Sequence, residues 1–317
     1  MTICRTPAWS AAACCLLLGG AALAAGITVH DARNRDVAIG DPARIVSIGG
    51  AITEILYALG FEDRLAGVDS TSLYPAAALR DKPNVGYMRQ LSAEGVLGLN
   101  PSLVLAAQGS GPKETMDVLE AAKVPLVLVP EIFSEAGLVE KIKLVGHAMG
   151  ADKRAECLTA AVTDDLAQLR ELRARVTRPV RVMFVISLLN GRAMAAGRNT
   201  AANEIIALAG GANAIDGYEG YKFINDEAIV AAKPDVVLSI QRGNESVDAE
   251  AVYLHPAFAL TPAAANKAFI SMDGLYLLGF GPRTAAAARD LSVKLYPALA
   301  PQAEKFKPAV LAADCRR

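Results

Sequence analysis

The clearest route to metal chemistry in this sequence is a tyrosine and an arginine two residues apart, in Gly86-Tyr87-Met88-Arg89. A phenolate is a hard anionic donor that prefers ferric iron, and tyrosine is one of the established axial ligands of haem. An ordinary phenol has a pKa of about 10, so binding as phenolate at neutral pH needs help. Bound iron supplies most of it, and a neighbouring guanidinium adds to it. In an extended segment Arg89 would reach the same side as Tyr87, and Gly86 lets the chain turn sharply just before the tyrosine. Taken alone, Tyr87 reads more readily as an ordinary half-buried loop tyrosine. Other metal-ligating residues are sparse. His30, His147 and His255 are the only histidines and are unclustered, whereas zinc and manganese sites usually gather histidines and carboxylates. His30 falls in an N-terminal stretch expected to be flexible, and His147 among apolar helical residues that pack a connector. His255 lies in a loop before Pro256, where a surface or capping role is expected and a second iron ligand is the alternative. Enzyme signatures are also wanting. Gly279-Phe280-Gly281 fails the dinucleotide fingerprint at its third glycine. There is no Gly-x-Ser-x-Gly elbow and no histidine in a triad-like setting, which leaves an α/β enzyme as a remote alternative.

Stepping along the chain, residues 1–25 have a basic start at Arg5, an apolar run Ala11–Leu18 and a small-residue end at Ala24-Ala25. That is the pattern of a cleaved secretory signal peptide, and the run is shorter than the roughly 20 residues that span a bilayer. About 290 residues then remain, enough for two ordinary domains. The formal net charge of −1 over the whole chain argues against a nucleic-acid partner. Cys4, Cys14 and Cys15 leave with the signal. Cys157 and Cys315 remain, and in an oxidising compartment they either pair or stay as thiols.

Short β-rich runs at Arg44–Ile48, Leu103–Ala106 and Val124–Val129 alternate with helical patterns such as Thr53–Leu59, which Gly60 closes. This alternation predicts parallel strands with helical crossovers. From Ser134 to Val176 strand formers thin out and apolar residues recur every three or four positions: one long helix, or two stacked ones hinged near Gly150. The β-rich pattern resumes at Val180–Ile186. An internal near-repeat supports two lobes. Leu91-Ser92-Ala93-Glu94 before Asn100-Pro101 matches Ile224-Asn225-Asp226-Glu227 before Lys233-Pro234, with each glutamate seven residues ahead of its proline. Thr53-Glu54-Ile55-Leu56 matches Asn203-Glu204-Ile205-Ile206 more loosely. The predicted fold is α/β: two Rossmann-like lobes, residues 26–133 and 178–317, joined by a long helical connector, 134–177, with a ligand cleft between the lobes.

These residues carry a resemblance that spans nearly the whole mature chain. The sequence resembles the helix-linked substrate-binding proteins of bacterial ABC importers, the class that serves vitamin B12, ferric siderophores and haem. Asn84–Leu91, Ala195–Ala202 and Met272–Arg283 are similar to the haem branch in particular. The first matters most, because haem-binding members hold iron through the tyrosine of a Gly-Tyr-x-Arg segment. The resemblance implies a periplasmic monomer that captures ferric haem b through Tyr87 and Arg89 and delivers it to an inner-membrane permease and its ATPase. A ferric-siderophore or corrinoid cargo is the alternative within the class. Some relatives hold two stacked haems through a histidine of the second lobe; Leu189-Asn190-Gly191 offers none, which favours one haem.

The rest of a haem site needs apolar walls and cations for the propionates. Loops beyond strand C-termini should supply them: Tyr74 from lobe one, and Arg192, Tyr221, Phe223, Arg242 and Phe280 from lobe two. In the vitamin-B12-binding relatives one surface glutamate per lobe meets the permease, and the repeat carries that residue at Glu94 and Glu227. Each also sits two positions after an N-cap candidate, Ser92 or Asn225, where a carboxylate favours the helix dipole. A helical connector, finally, implies little lobe closure on binding.

Overall fold

The computed structural model describes residues 26–241 and 246–316. The predicted signal peptide lies outside these residues. The described chain opens with an antiparallel hairpin, β1 (Ile27–His30) and β2 (Asp36–Ile39). Thus His30, expected in a flexible stretch, sits in a paired strand, its Nδ1 3.0 Å from Asp36 Oδ1. The hairpin is anchored by Asp31, which is buried and accepts hydrogen bonds from the Arg35 guanidinium and from the backbone N–H groups of Arg33, Arg35 and Leu128.

The first lobe is built on β3 (Ile45–Ile48), β4 (Leu65–Val68), β5 (Leu103–Ala107) and β6 (Leu126–Val129), all parallel, in the order β4-β3-β5-β6. Every residue of β3, β5 and β6 is buried. Crossover helices cover both faces of a parallel sheet, so its strands read as unbroken apolar runs rather than alternating ones.

In the second lobe β7 (Arg181–Leu189) is central. The short strand β9 (Ala212–Asn213) pairs with its first half, and β11 (Val236–Gln241) and β12 (Phe269–Asp273) follow on the other side, all parallel. The order β9-β7-β11-β12 reproduces β4-β3-β5-β6. The helix Ala93–Leu97 before β5 corresponds to Asp226–Ala232 before β11, with Ser92 and Asn225 as their N-caps. The sequence near-repeat is thus a structural one. The second lobe departs from a purely parallel pattern in one respect. β8 (Arg192–Ala196) and β10 (Tyr221–Ile224) add an antiparallel extension, β10-β8-β7, on the edge beside the second half of β7. The β7–β8 turn is Asn190-Gly191, both at positive φ (51° and 72°), as a tight two-residue hairpin turn requires.

Between the lobes lie two helices, Glu135–Ala148 and Asp152–Arg173, so the connector is a helical pair rather than one continuous helix. They fold back on each other: Glu135, at the start of the first, is ion-paired with Arg170, near the end of the second. Ala155, Leu158, Val162, Leu166, Leu169 and Leu172 of the second helix are buried, the three-and-four spacing of an amphipathic face. His147 does not pack the connector's apolar face. Its side chain is 48% exposed and pairs with Asp152 at 3.0 Å. The chain's end returns to this helix pair. Asp165 caps the N–H groups of Ala309 and Val310, and Cys157 is disulfide-bonded to Cys315 with a Cα–Cα distance of 5.6 Å. Arg316 then reaches the first lobe, at Glu62 Oε1 (2.9 Å) and the Tyr57 carbonyl (3.1 Å).

Candidate functional site

Tyr87 and Arg89 lie on the segment between β4 and the helix Ala93–Leu97. Backbone bonds fix this segment on two sides. Val85 N–H donates to the Val68 carbonyl, Ser70 N–H to Gly86, Gly111 N–H to Met88 and Leu91 N–H to Gly111. Gly86 has φ +94°, a value that suits glycine. The segment beyond Tyr87 is not extended. Gln90 N–H donates to the Tyr87 carbonyl at 2.7 Å, closing a turn, and the turn brings the Arg89 side chain back. Its Nη1 donates to the Tyr87 phenol oxygen at 2.9 Å. The pair expected from the sequence therefore forms, through a β-turn rather than through strand alternation.

The antiparallel extension supplies the facing lobe. Tyr221 and Phe223 stand on one face of β10 at 37% and 39% exposure, two large apolar side chains left uncovered. Arg192 caps Phe223, its guanidinium carbon 5.0 Å from the ring centroid, and Tyr221 meets Phe184 edge-on at 6.2 Å. Burial raises the Tyr221 phenol above its ordinary value; the Ala202 N–H, Arg89 and the Thr200 hydroxyl oppose that rise. Tyr87 and Arg89 on lobe one, and Tyr221, Phe223 and Arg192 on lobe two, thus form two local groups, each with a phenol.

The other predicted residues divide. Tyr74 is 39% exposed and stacks beneath Arg283, whose guanidinium carbon is 3.5 Å from the ring centroid. Phe280 corrects its prediction. It is 2% exposed, packs edge-on against Phe133 at 5.3 Å, and its carbonyl accepts from the buried Lys141. Its ring is enclosed in the seam between lobe and connector and is not exposed to the cleft. Arg242 lies outside the described residues. His255 is buried, with Nε2 2.8 Å from the Gly191 carbonyl and Nδ1 accepting from Ala257 N–H, a capping arrangement that uses both nitrogens. Glu94 and Glu227 are exposed at matching places, each the second residue in the first turn of its helix.

One group escaped the sequence reading altogether. Arg283 forms a two-pronged pair with Glu54, Nε to Oε1 and Nη2 to Oε2 both at 2.9 Å, 229 residues away across the lobes. Among the described residues, no cluster of three or more His, Cys, Asp or Glu side chains could hold a bare metal ion. A separate hollow of about 480 Å³ borders β1 and the helix Glu135–Ala148 and contains none of the cleft residues.

Residues 45–275 match the family described as periplasmic binding protein. The chain belongs to that family. It carries a solute and is not an enzyme. It is 41% identical to the periplasmic heme-binding protein RhuT from Roseiflexus sp. RS-1, over 82% of this chain and 100% of that one, with a TM-score of 0.77. The periplasmic heme-binding protein BhuT, solved with two hemes, is 38% identical over 81% of this chain and 98% of its own, with a TM-score of 0.76. A vitamin B12-binding protein of Yersinia pestis is 24% identical over 268 residues, 82% of this chain and 89% of the relative. The two-lobe architecture is that of the solved relatives. No helix among the described residues is long and apolar enough to cross a membrane.

Proposed function

We propose that this periplasmic binding protein captures ferric haem b and hands it to an inner-membrane ABC importer. The observation that carries the proposal is the 2.9 Å contact between Arg89 Nη1 and the Tyr87 phenol, supported by the uncovered rings of Tyr221 and Phe223 on the other lobe. In this reading Tyr87 supplies a phenolate oxygen to the iron, and Arg89 stabilises that charge. Tyr74, Tyr221 and Phe223 offer surfaces for the macrocycle, and Arg192 a cation for a propionate. A macrocycle is large and flat, so exposed rings suit it, while the carboxylates at its edge call for guanidinium partners. With Nε2 and Nδ1 of His255 both engaged, no lobe-two histidine is available for a second iron, so one haem per chain is expected. Residues 1–25 direct export and are removed, the lobes divide at residues 134–177, and the mature protein acts as a monomer. Glu94 and Glu227 meet one permease subunit each.

The test is a competition series. Purified protein is titrated with hemin, cyanocobalamin and a ferric hydroxamate siderophore under identical conditions, by absorbance and equilibrium dialysis. Tight binding of hemin alone supports the proposal. Preference for either of the other two assigns the cleft to the alternative cargo.

A further inference from the structure

The two lobes meet at a buried two-pronged ion pair. Glu54 is 5% exposed, on the helix Gly50–Ala58 of lobe one. Arg283 enters from lobe two and meets both carboxylate oxygens, and its own N–H donates to Glu54 Oε1 at 3.3 Å. Burial pushes the Glu54 carboxyl up, and Arg283 is the charge that opposes it. The same guanidinium lies 3.5 Å from the centroid of the Tyr74 ring and 5.0 Å from that of Tyr276. Tyr276 is in turn fixed by its hydroxyl, which donates to Asp290 at 2.8 Å. The loop leading to Tyr74 is held from the other side. Asp69, fully buried, accepts from Gly49 N–H, Thr71 N–H and the Thr71 and Ser72 hydroxyls. A planar, two-pronged cation that also stacks on rings is a role that arginine fills and lysine does not.

We propose that Arg283 is a positioning residue for the cargo: through Glu54 it sets the angle between the lobes, and through its flat face it holds Tyr74 in place beside the cleft. The cleft is then shaped before any ligand arrives. Arg283 itself is turned toward Glu54 and the two rings, and acts on the ligand only through Tyr74. The affinity part of this inference rests on haem being the cargo; the lobe-angle part does not.

The experiment has two arms. In the first, spin labels at Glu114→Cys and Ala207→Cys report the interlobe distance in ligand-free protein. Arg283→Lys keeps the charge but loses the fork and the stack, and should broaden a narrow distance distribution. The paired variant Glu54→Met with Arg283→Met removes both buried charges together, so the fold survives without an orphaned ion, and should broaden it as well. Unchanged distributions in both variants overturn the lobe-angle role. In the second arm hemin affinity is measured for Arg283→Lys, Tyr74→Leu and their combination. Each single change should weaken binding about tenfold, the combination little more than either alone, because the two residues act as one unit. The spectrum of bound iron should not change. Additive losses, or no loss from either single change, overturn the positioning role. If the unaltered protein fails to bind hemin, the proposed cargo falls together with the affinity arm, while the distance arm still decides the lobe-angle role.

Discussion

Replacing Arg89 with methionine should weaken haem binding at pH 7. The structure sets the scale. One charge-assisted hydrogen bond, such as the 2.9 Å contact from Arg89 to Tyr87, contributes about 1.5–3 kcal/mol. The site is exposed, which screens the interaction, so a net 1–2 kcal/mol is the reasonable expectation, or about 5- to 30-fold in affinity. Methionine keeps an unbranched apolar stem in place of the arginine methylenes, so the loss reports the guanidinium. The assay is an absorbance titration with hemin at pH 7 on both proteins, with Arg89→Lys as a charge-retaining control that should lose less. Equal affinities of the methionine variant and the unaltered protein would refute the reasoning that Arg89 acts by stabilising phenolate.

Four further outcomes are expected. Replacing Cys157 and Cys315 with serine opens a loop whose ends are 158 positions apart and should lower stability by up to about 5 kcal/mol by chain entropy, read by urea unfolding, with hemin binding retained at 25 °C. Burial pushes the Asp31 carboxyl up, but the Arg35 guanidinium and three backbone N–H groups outweigh it and hold it below the usual range; Asp31→Asn should therefore cost about 2 kcal/mol at pH 7. Because the folded value is lowered, that cost should shrink as pH falls from about 4 through the folded value, which unfolding curves at pH 7 and pH 3 compare. Glu94→Ala with Glu227→Ala should leave hemin binding intact and abolish hemin uptake into permease-containing vesicles; normal uptake would leave both residues a helix-end role only. Small-angle scattering should show little compaction on hemin addition, since the connector is a packed helix pair.

How far the sequence could be read depended on whether a signal was local. The strands of lobe one were visible because a sheet covered on both faces is apolar at every position, as in Leu103–Ala107. The repeat was visible because equivalent helices in the two lobes kept the same cap and glutamate, Ser92 with Glu94 and Asn225 with Glu227. Tyr87 and Arg89 were found as a pair, although the turn that joins them was read as an extended segment. The antiparallel extension was missed despite a usable signal: Asn190-Gly191 between apolar runs is the commonest two-residue hairpin turn. Phe280 was misplaced because an aromatic residue after a strand reads the same whether it faces a cleft or a seam. Glu54 and Arg283 could not have been paired at all. No periodicity links residues 229 positions apart; only the docking of the lobes does. The cysteines stood open for the same reason, until the C-terminal segment was placed against the connector.

Haem capture as proposed turns on a phenolate oxygen from Tyr87 reaching ferric iron. Absorbance titration of the purified protein with hemin, beside Tyr87→Ala and Tyr87→Phe, tests this most directly. The unaltered protein should bind one hemin per chain with a tyrosinate-type spectrum, and both variants should lose that spectrum and most of the affinity. A Tyr87→Phe protein that binds hemin as tightly, with the same spectrum, would contradict the account.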